Sequence, residues 1–344
     1  MTIQRPKRAS ISDVARHAGV AVGTVSNVLN RPAVVAPATR ERVLAAIEEL
    51  SFVPSGAARQ LRAGTITTVG AILLDIRNPF FTDVARGIED RLARDDHTLM
   101  LASSDDDPAR EAKYLRLFEE HGVVGMLVVP TTPDLSHLRQ IQRRGVRVVL
   151  LDVPSSVAEI SSVSVNDLAG GELAARHLLS LGHTRLTFLN GPHTIRQCVD
   201  RRAGVDAAVR AAGLDPHEVV TEVTVTSLDA NGGDAAMRAL VGEAGRPPAA
   251  VFCVNDLVAL GVQRALRHLG GTELLTSVSI VGYDDIDIAA ELAVPLTSIR
   301  QPTHEMGLRA ADLLLRGEVG GAVEHVVFQP ELVVRASTSG RPGV

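Results

Sequence analysis

The chain has 344 residues, of which 45% are hydrophobic and 22% are charged. This composition is typical of a folded α/β protein, excludes disordered and fibrous classes, and at this length predicts two or three compact units. The net charge of −5 argues against a nucleic-acid partner only if it is spread evenly, and it is not. Residues 1–63 hold nine Lys/Arg and four Asp/Glu, so the remaining residues carry a net charge of −10. A basic segment attached to an acidic body is therefore indicated.

Cysteine usage and hydropathy indicate the compartment. Cys198 and Cys253 are the only cysteines, too few for a disulfide framework and without partners at zinc-ligand spacing. The basic N-terminus lacks the apolar run of a signal peptide, and no window approaches the roughly 18 apolar residues of a membrane span. We expect a cytoplasmic protein that is neither secreted nor membrane-spanning, and we predict no metal and no cofactor.

The first sixty residues predict three short helices. Ser10 and Asp13 have the spacing of a helix N-terminal capping pair, and Gly19 is placed to end that helix. A second helix ends at 30–32, and Pro37 opens a third. The apolar positions that would close a small core are Ile11, Val14, Ala15 and Ala18, then Val25, Val28 and Leu29, then Val43, Ala46, Ile47 and Leu50.

Two short helices joined by a tight glycine turn form the helix-turn-helix pattern. The second helix places small polar side chains between flanking arginines, as a major-groove helix requires for phosphates and base edges. These residues are Thr24, Ser26, Asn27 and Asn30. The alternative is a three-helix structural module with a solvated basic face.

Residues 54–64 predict a hinge. Pro54 to Arg62 has the composition of one short helix, but Gly56 weakens it, and helices under roughly 12 residues are marginal in water. We expect this segment to become ordered when it packs on DNA; a plain interdomain linker is the alternative.

From Thr65 onward, short predicted strands alternate with amphipathic helices, and a second series of alternating strands and helices begins near Leu173. This predicts two doubly wound lobes with parallel sheets. The predicted domains are 1–53 for the helical headpiece, 54–64 for the hinge and 65–344 for the core. Within the core, the first lobe is expected at about 65–165 plus 297–327, and the second at 166–296 plus 328–344.

Polar residues follow several predicted strands, where such lobes bind ligands. Carboxylates, amides and a guanidinium suit vicinal hydroxyls, and an aromatic ring suits the apolar face of a sugar. The residues concerned are Asp75, Asn78, Phe80, Phe81, Asp152, Gln197, Arg201, Asn255, Asp256 and Asp284. We expect one of the two phenylalanines to lie in the core.

The sequence resembles the lactose/galactose repressor (LacI/GalR) family of bacterial transcription regulators. The resemblance rests on Ile11–Arg16 with Gly19-Val20, on Thr24–Asn30 and on Thr39–Val43. It continues in family order through Asn78–Phe81, Leu181–His183, Asn255-Asp256, Val281–Asp285 and Pro295–Thr297. It implies an all-α helix-turn-helix headpiece and an α/β two-lobed core resembling periplasmic binding proteins.

The resemblance also implies DNA contacts. The family's base-reading positions correspond to Val22, Gly23 and Asn27, although Gly23 offers no side chain and Asn27 stands where an arginine is frequent. Ala21 replaces a capping serine. In the hinge, Leu61 corresponds to a residue that wedges between base pairs in the minor groove, with Ala58 against the groove floor.

Carried over position by position, the family's ligand contacts fall on Asp75, Asn78, Phe80, Arg201, Asn255, Asp284 and Gln301. Two alternatives stay open: Arg202 beside Arg201 is a surface ion-pair partner, and a strand-end aspartate such as Asp284 caps the following turn. His183 and His193 are interpreted as surface or capping residues.

These patterns predict a repressor that binds a palindromic operator as a homodimer and responds to a small effector, a sugar by preference. A higher oligomer is not favoured, since the C-terminus shows no leucine heptad. A corepressor-dependent regulator and a transport-type sugar-binding protein are the alternatives. An enzyme is disfavoured because phosphate-loop, zincin and nucleophile-elbow motifs are lacking.

Overall fold

The computed structural model describes residues 9–52, 67–317 and 321–338. The chain divides into two compact units, Met1–Ile66 and Thr67–Val344. The predicted hinge at 54–64, with Ala58 and Leu61, lies outside the described residues.

The first unit contains helices α1 (Ile11–Ala18), α2 (Val22–Asn30) and α3 (Pro37–Glu49), with a 3₁₀ turn at Pro32–Val34. The predicted capping pair is confirmed, because the Ser10 hydroxyl accepts from the Asp13 amide (3.2 Å) and the Asp13 carboxylate accepts from the Ser10 amide (2.9 Å). Gly19 ends α1 with a φ of 66°, the left-handed conformation that glycine adopts at least cost. Val14, Val25 and Val43, one from each helix, are fully buried in the shared core.

The second unit begins with a six-stranded sheet in the order β11-β5-β4-β3-β1-β2, in which all paired strands are parallel. Its elements are β1 (Thr68–Leu73), α4 (Pro79–Ala93), β2 (Thr98–Ser103), α5 (Pro108–Glu120), β3 (Gly125–Val128), α6 (Ser136–Arg143), β4 (Arg147–Leu151), β5 (Ser161–Val165) and β11 (His325–Phe328). Helices cover both faces of this sheet, which forms the first lobe.

The second lobe is a sheet in the order β12-β10-β9-β8-β6-β7, parallel except for β12, which runs antiparallel to β10. Its elements are α7 (Asp167–Ser180), β6 (Leu186–Asn190), α8 (Arg196–Ala211), α9 (Pro216–Val219), β7 (Val220–Thr224), α10 (Ala230–Ala244), β8 (Ala250–Cys253), α11 (Asp256–Thr276), β9 (Ser279–Asp284), α12 (Ile288–Glu291), β10 (Thr297–Arg300) and β12 (Glu331–Val333). A 3₁₀ turn, Ala336–Thr338, follows.

The chain crosses between the lobes three times. The first crossing follows β5; the second follows β10 and leads into α13 (Thr303–Arg316), which packs on α4; the third joins β11 to β12. The expected boundaries at 297 and 328 were misplaced by a few residues. Strand β10 pairs with β9 in the second sheet, so the second crossing lies at Gln301-Pro302, and Phe328 pairs with Val165 in the first sheet.

Candidate functional site

Helix α2 presents a mixed surface. Val22, Gly23 and Asn27 are exposed, and Thr24 and Ser26 are half-buried. A Cβ added at Gly23 would meet no atom within 4 Å, so a side chain here would extend into open space. The residues that the sequence assigns to base reading thus lie on one accessible helix, and their contacts with DNA stay a prediction.

Asn30 is engaged within its own helix. Its side-chain Nδ2 donates to the Ser26 carbonyl at 2.8 Å and approaches the Ser26 hydroxyl at 3.3 Å. Its amide oxygen remains the group with which Asn30 would accept a bond from DNA.

The helices on either side of α2 bond to each other, whereas the N-terminus of α2 itself lacks a side-chain cap. His17 of α1 and Glu49 of α3 approach to 2.6 Å (Nε2 to Oε2), which joins the flanking helices. The N-cap residue Ala21 makes no side-chain cap bond, although its φ and ψ of −71° and 151° suit a capping side chain. The first turn of α2 therefore has no side-chain cap, and its Thr24 amide donates to the Ala21 carbonyl instead (2.9 Å).

In the core, side chains from both lobes meet at one polar cluster. Asn78, which follows β1, donates through Nδ2 to Asp284 Oδ2 at the end of β9 (3.2 Å). Gln301, at the second crossing, donates through Nε2 to Asp284 Oδ1 (2.8 Å). All three side chains are buried. Three of the predicted ligand residues are thus brought together on a single carboxylate.

Arg201 of α8 lies in the same region and is 6% exposed. Its Nε donates to Asp167 Oδ1 (2.8 Å), a guanidinium nitrogen donates to the Val254 carbonyl (2.5 Å), and its Cζ lies 3.5 Å from the centre of the Tyr283 ring. The position of Arg201 depends on the close packing of α7 against α8, where a Cβ at Gly171 would overlap the Arg201 backbone.

Asp167 and Tyr283 are partners that the sequence did not single out. The helix expected from Leu173 begins at Asp167 instead, which places that carboxylate in its first turn, facing α8. A carboxylate directly after strand β5 was the available signal, since residues after parallel strands gather at one edge.

A second polar bridge joins the lobes beside the first. Gln197 of α8 donates through Nε2 to Asp152 Oδ2 (2.6 Å) and to the Asp152 carbonyl (2.9 Å), and both side chains are buried. Both residues were predicted as polar residues of the cleft, Asp152 after a strand and Gln197 near the second lobe; Gln197 lies in the first turn of α8. Among the described residues, the buried atoms Asp152 Oδ1 and Gln301 Oε1 have no hydrogen-bond partner.

Burial has the largest effect on the pKa values of the charged groups in the cluster. It raises the pKa of Asp284 to about 6, against the opposing effects of Arg201, Asn78 and Gln301. Burial, reinforced by Asp167, raises the pKa of Asp152 well above its usual range. Burial alone would lower the pKa of Arg201, but Asp167 and other acidic neighbours raise it. One permanent cation is therefore surrounded by carboxyl groups that retain protons unusually well.

Two of these carboxylates sit on strained backbone. Asp152 has a φ of 62° and Asp284 a φ of 105°, in the region that favours glycine. Such conformations cost roughly 1–3 kcal/mol and concentrate at ligand sites, where surrounding structure enforces them. The next residue, Asp285, also has positive φ, but it points to Arg300 and Arg335 and stabilises the turn.

The remaining predicted ligand residues have structural partners. Asp75 is ion-paired with Arg77 (2.9 Å), and Phe80 is 3% exposed and packs edge-on against Phe81 in the core of the first lobe. Asn255 caps α11 by accepting from the Val258 amide at 2.8 Å. Ligand contact by these residues stays a prediction, and the expectation that one phenylalanine is core holds for both rings.

The other flagged residues also make ordinary contacts. His183 Nε2 contacts the Ser279 hydroxyl (2.8 Å), His193 contacts Glu222 (2.9 Å) and Arg202 pairs with Asp206 (2.9 Å). In the described ranges no group of three or more His, Cys, Asp or Glu side chains could hold a metal ion.

Comparison with known proteins gives two family matches. Residues 10–55 match the family described as "Bacterial regulatory proteins, lacI family", and residues 175–338 match the "Periplasmic binding protein-like domain". Across the described part of the chain, no helix is long and apolar enough to cross a membrane.

The chain is 37% identical over 346 residues to the HTH-type transcriptional regulator MalR of Streptomyces coelicolor, with 97% of each protein covered. It is similar to a complex of the transcriptional regulator CelR with cellobiose (30% identity, TM-score 0.67, 96% of this chain and 100% of that one). It is also similar to the lac repressor dimer bound to operator and the anti-inducer ONPF (26% identity, TM-score 0.77, 96% and 99% covered).

Proposed function

The chain belongs to the lacI family of bacterial regulatory proteins and is a DNA-binding transcription regulator with a ligand-binding core, and from that premise we propose that it is a repressor controlled by an uncharged sugar or related polyol. As a DNA-binding regulator of transcription, it acts in the cytoplasm. Its membership and its relatives favour regulation over an enzymatic activity.

The observation that carries the effector class is the pair of buried oxygens Asp152 Oδ1 and Gln301 Oε1, which lack partners among the described residues. A buried polar atom without a partner costs about 1–3 kcal/mol, so each favours a ligand that supplies the missing hydrogen bond. A hydroxyl group can donate to the Gln301 oxygen, and it can accept from a protonated Asp152 carboxyl or donate to an ionised one. The relative CelR, whose solved complex contains cellobiose, is consistent with this class.

The DNA side of the proposal rests on α2. Val22 offers an apolar surface for a thymine methyl, and Asn27 offers an amide suited to adenine. The lac repressor, a structural relative, binds operator as a dimer. We propose that this chain likewise reads a palindromic operator as a homodimer, with one α2 in each half-site.

Thermodynamic linkage would connect ligand binding in the core with DNA binding by the headpiece. The lobes are joined by the Asn78–Asp284 and Gln197–Asp152 hydrogen bonds, and a ligand that bonds to these groups stabilises one lobe arrangement over another. We propose that this arrangement sets the operator affinity, and that the effector releases DNA. A corepressor-dependent regulator is the alternative, in which the same ligand tightens binding.

The test is fluorescence anisotropy with DNA from the region upstream of the protein's own gene, at two salt concentrations. The full chain is compared with residues 67–344, a unit with its own hydrophobic cores. We expect salt-sensitive binding by the full chain and none by the shorter one. Neutral saccharides are then added, and release of the DNA supports induction, whereas tighter binding supports corepression. Absence of specific DNA binding with and without saccharides would reject the proposal.

A further inference from the structure

Asp256 is a buried acidic residue at the start of α11, and it is 2% exposed. It was expected among the polar residues of the cleft, but its carboxyl bonds within the second lobe instead. Its Oδ1 accepts from the Ser298 hydroxyl (2.6 Å), and its Oδ2 accepts from the Ile286 amide (2.9 Å). Within the described ranges it has no cationic partner. Because burying a carboxyl without a cation costs stability, stability alone does not explain this residue.

The Asp256 carboxyl fits against strand β9 because position 282 is a glycine. Gly282 of β9 is paired with Ser298 of β10, and a Cβ added at Gly282 would overlap Asp256 Oδ1. Ser298 is fully buried. The carboxyl therefore reaches β10 through a space that any other side chain at position 282 would fill.

The bonds of Asp256 converge on the turn that follows β9. Asp284, the last residue of β9, has a φ of 105°, and Asp285 has a φ of 53°. The Ile286 amide donates to Asp256, and the Asp285 amide donates to the Ser298 hydroxyl (3.1 Å), which itself bonds to Asp256. Successive non-glycine residues adopt such conformations only where the surrounding structure enforces them. Both amides that follow Asp284 are thus held by one carboxyl, directly or through Ser298.

The side chain of Asp285 is anchored separately. Its carboxylate bonds to Arg300 (2.8 Å) and to Arg335 (2.5 Å). A guanidinium group only donates hydrogen bonds, so neither arginine can accept from the backbone amides of the turn. These amides depend on Asp256 and Ser298.

The conformation of this turn determines where the Asp284 carboxylate lies. The φ of a residue sets the direction of its Cβ relative to the preceding peptide. At 105° the Asp284 carboxylate meets Asn78 Nδ2 (3.2 Å) and Gln301 Nε2 (2.8 Å). Relaxation to an ordinary negative φ would turn the carboxylate away from both amides. A ligand contact is precise only when the groups behind it fix its orientation.

The contacts of Asp256 are compatible with either protonation state. Burial, reinforced by the charge of Asp284, raises the pKa of Asp256 well above its usual range. When the carboxyl is protonated, Oδ1 can donate to the Ser298 oxygen while Oδ2 still accepts from the Ile286 amide. Asparagine can form the same two bonds, so alanine is the informative replacement.

We propose that Asp256 is a positioning residue, which acts through Ser298 and the Ile286 amide to hold the strained turn and so present the Asp284 carboxylate to the ligand site. The inference rests on the proposed role of Asp284 as a ligand contact. Its test observes Asp284 directly and uses no effector, so rejection of the sugar class would leave the result of this test unaffected.

The test is a carbon NMR titration of the full chain, with aspartate labelled with carbon-13 at the side-chain carboxyl. The Asp284 resonance is identified by its absence from Asp284→Asn, and in the wild type we expect its midpoint near pH 6. We expect Asp256→Ala and Ser298→Ala to move this midpoint towards the ordinary value of 3.8, by at least about one pH unit, because a carboxylate released from the cluster becomes hydrated. Ser298→Ala retains the Asp256 carboxyl, so it separates the loss of positioning from the loss of a nearby charge.

The Asn78 side-chain amide supplies a second signal. Its resonance, identified by its loss in Asn78→Ser, should follow the titration of Asp284 in the wild type, because Nδ2 bonds to Asp284 Oδ2. In Asp256→Ala and Ser298→Ala we expect this pH dependence to disappear. A role of Asp256 in stability alone would lower the melting temperature without changing either signal.

Gln263→Met is the matched control. It removes another buried bond of α11, from Gln263 Nε2 to the Val294 carbonyl (3.0 Å), and should leave the Asp284 midpoint unchanged. An equal shift in this control would show a general loosening of the lobe and would overturn the inference.

The two turn variants decide the remaining outcomes. Unchanged Asp284 midpoints in both would overturn the inference. A shift in Asp256→Ala alone would show a direct effect of charge, and a shift in Ser298→Ala alone would assign the role to Ser298 without Asp256; either result overturns it as well. Should Asp256→Ala fail to fold, the titration of Ser298→Ala decides.

Discussion

Asn78 Nδ2 lies 3.2 Å from Asp284 Oδ2, and this contact joins the loop after the first strand of one lobe to the last residue of a central strand of the other. Asn78 has a second bond, since its Oδ1 accepts from the Phe80 amide (3.0 Å) and caps α4. The same side chain thus starts a helix in the first lobe and reaches across to the second.

These two roles of Asn78 can be separated by substitution. In Asn78→Ser the hydroxyl still caps α4, but it is too short to reach Asp284. We expect the melting temperature to fall by a few degrees, because the buried Asp284 Oδ2 loses a donor, and effector affinity to fall about tenfold, because the ligand loses the Asn78 amide at this bridge. Asp107→Ser, which replaces the cap of α5, is the control and should leave affinity unchanged. Equal affinities of wild type and Asn78→Ser would contradict a ligand role for the bridge.

The pKa of Asp284 gives a pH dependence with a defined sign. Burial raises this pKa from 3.8 to about 6, so the folded state holds the proton more tightly than the unfolded state. The stability that this group contributes is complete below pH 4 and is lost as the pH rises towards 6. Effector binding has the opposite trend, because an ionised carboxylate accepts hydroxyl donors better than a neutral one.

We therefore expect effector affinity to rise between pH 5 and pH 7, with a midpoint near pH 6. Titrations in buffers of different ionisation enthalpy measure the accompanying proton release. Asp284→Asn should flatten the profile, and asparagine tolerates the positive φ of this position. An unchanged pH profile in Asp284→Asn would show that another group titrates.

Where the sequence succeeded, the controlling interactions are local. Ser10, Asp13 and Gly19 determine the ends of α1 through bonds that span a few residues, so their spacing sufficed. The alternation of strands and helices in the core could likewise be predicted from the hydrophobic pattern of the sequence. The boundary at 297 was misplaced because strand β10 pairs with β9, and which strand a short apolar segment joins depends on distant partners.

In the polar cluster, too, some residues could be predicted from the sequence and others could not. The resemblance named Asn78, Asp284 and Gln301, which the structure brings together, but spacing gave no sign that Asp167 would pair with Arg201 at 2.8 Å. That ion pair depends on how α7 packs on α8. Phe80, chosen for its aromatic ring, is buried because hydrophobic burial outweighs any local preference for the cleft.

His137 and Glu111 predict a second pH dependence of stability, with the same sign as that of Asp284 but at higher pH. The bond to Glu111 raises the pKa of His137 above 6.5, so while Glu111 is ionised the stability that His137 contributes is complete below pH 6.5 and is lost as the pH rises through the folded-state pKa. We expect His137→Gln to weaken the fall in melting temperature between pH 6 and pH 9. His217→Gln, at an exposed histidine, should retain the wild-type slope. Parallel curves for wild type and His137→Gln would argue against this pair.

Base reading and phosphate contact by the headpiece can be distinguished with Asn27 and Arg31. Asn27→Ala should cost about 1–3 kcal/mol on the preferred operator and relax the preference at one base pair per half-site. Arg31→Ala should weaken binding to all sequences alike and reduce the salt slope by about one. Anisotropy with an operator set substituted one position at a time measures both effects. A uniform loss for Asn27→Ala would remove it from the base-reading residues.

The missing cap of α2 predicts a stabilising substitution. Ala21 has an extended N-cap backbone, with a φ of −71° and a ψ of 151°, but no side chain that can accept from the first-turn amides. Ala21→Ser supplies that acceptor and should stabilise α2 by about 1 kcal/mol, which slows exchange of the Gly23 amide roughly fivefold in the full chain. Ala45→Ser, at an exposed position inside α3, is the control, since serine there gains no cap and is a weaker helix former than alanine. Faster exchange in Ala21→Ser would mean that the serine hydroxyl does not cap α2.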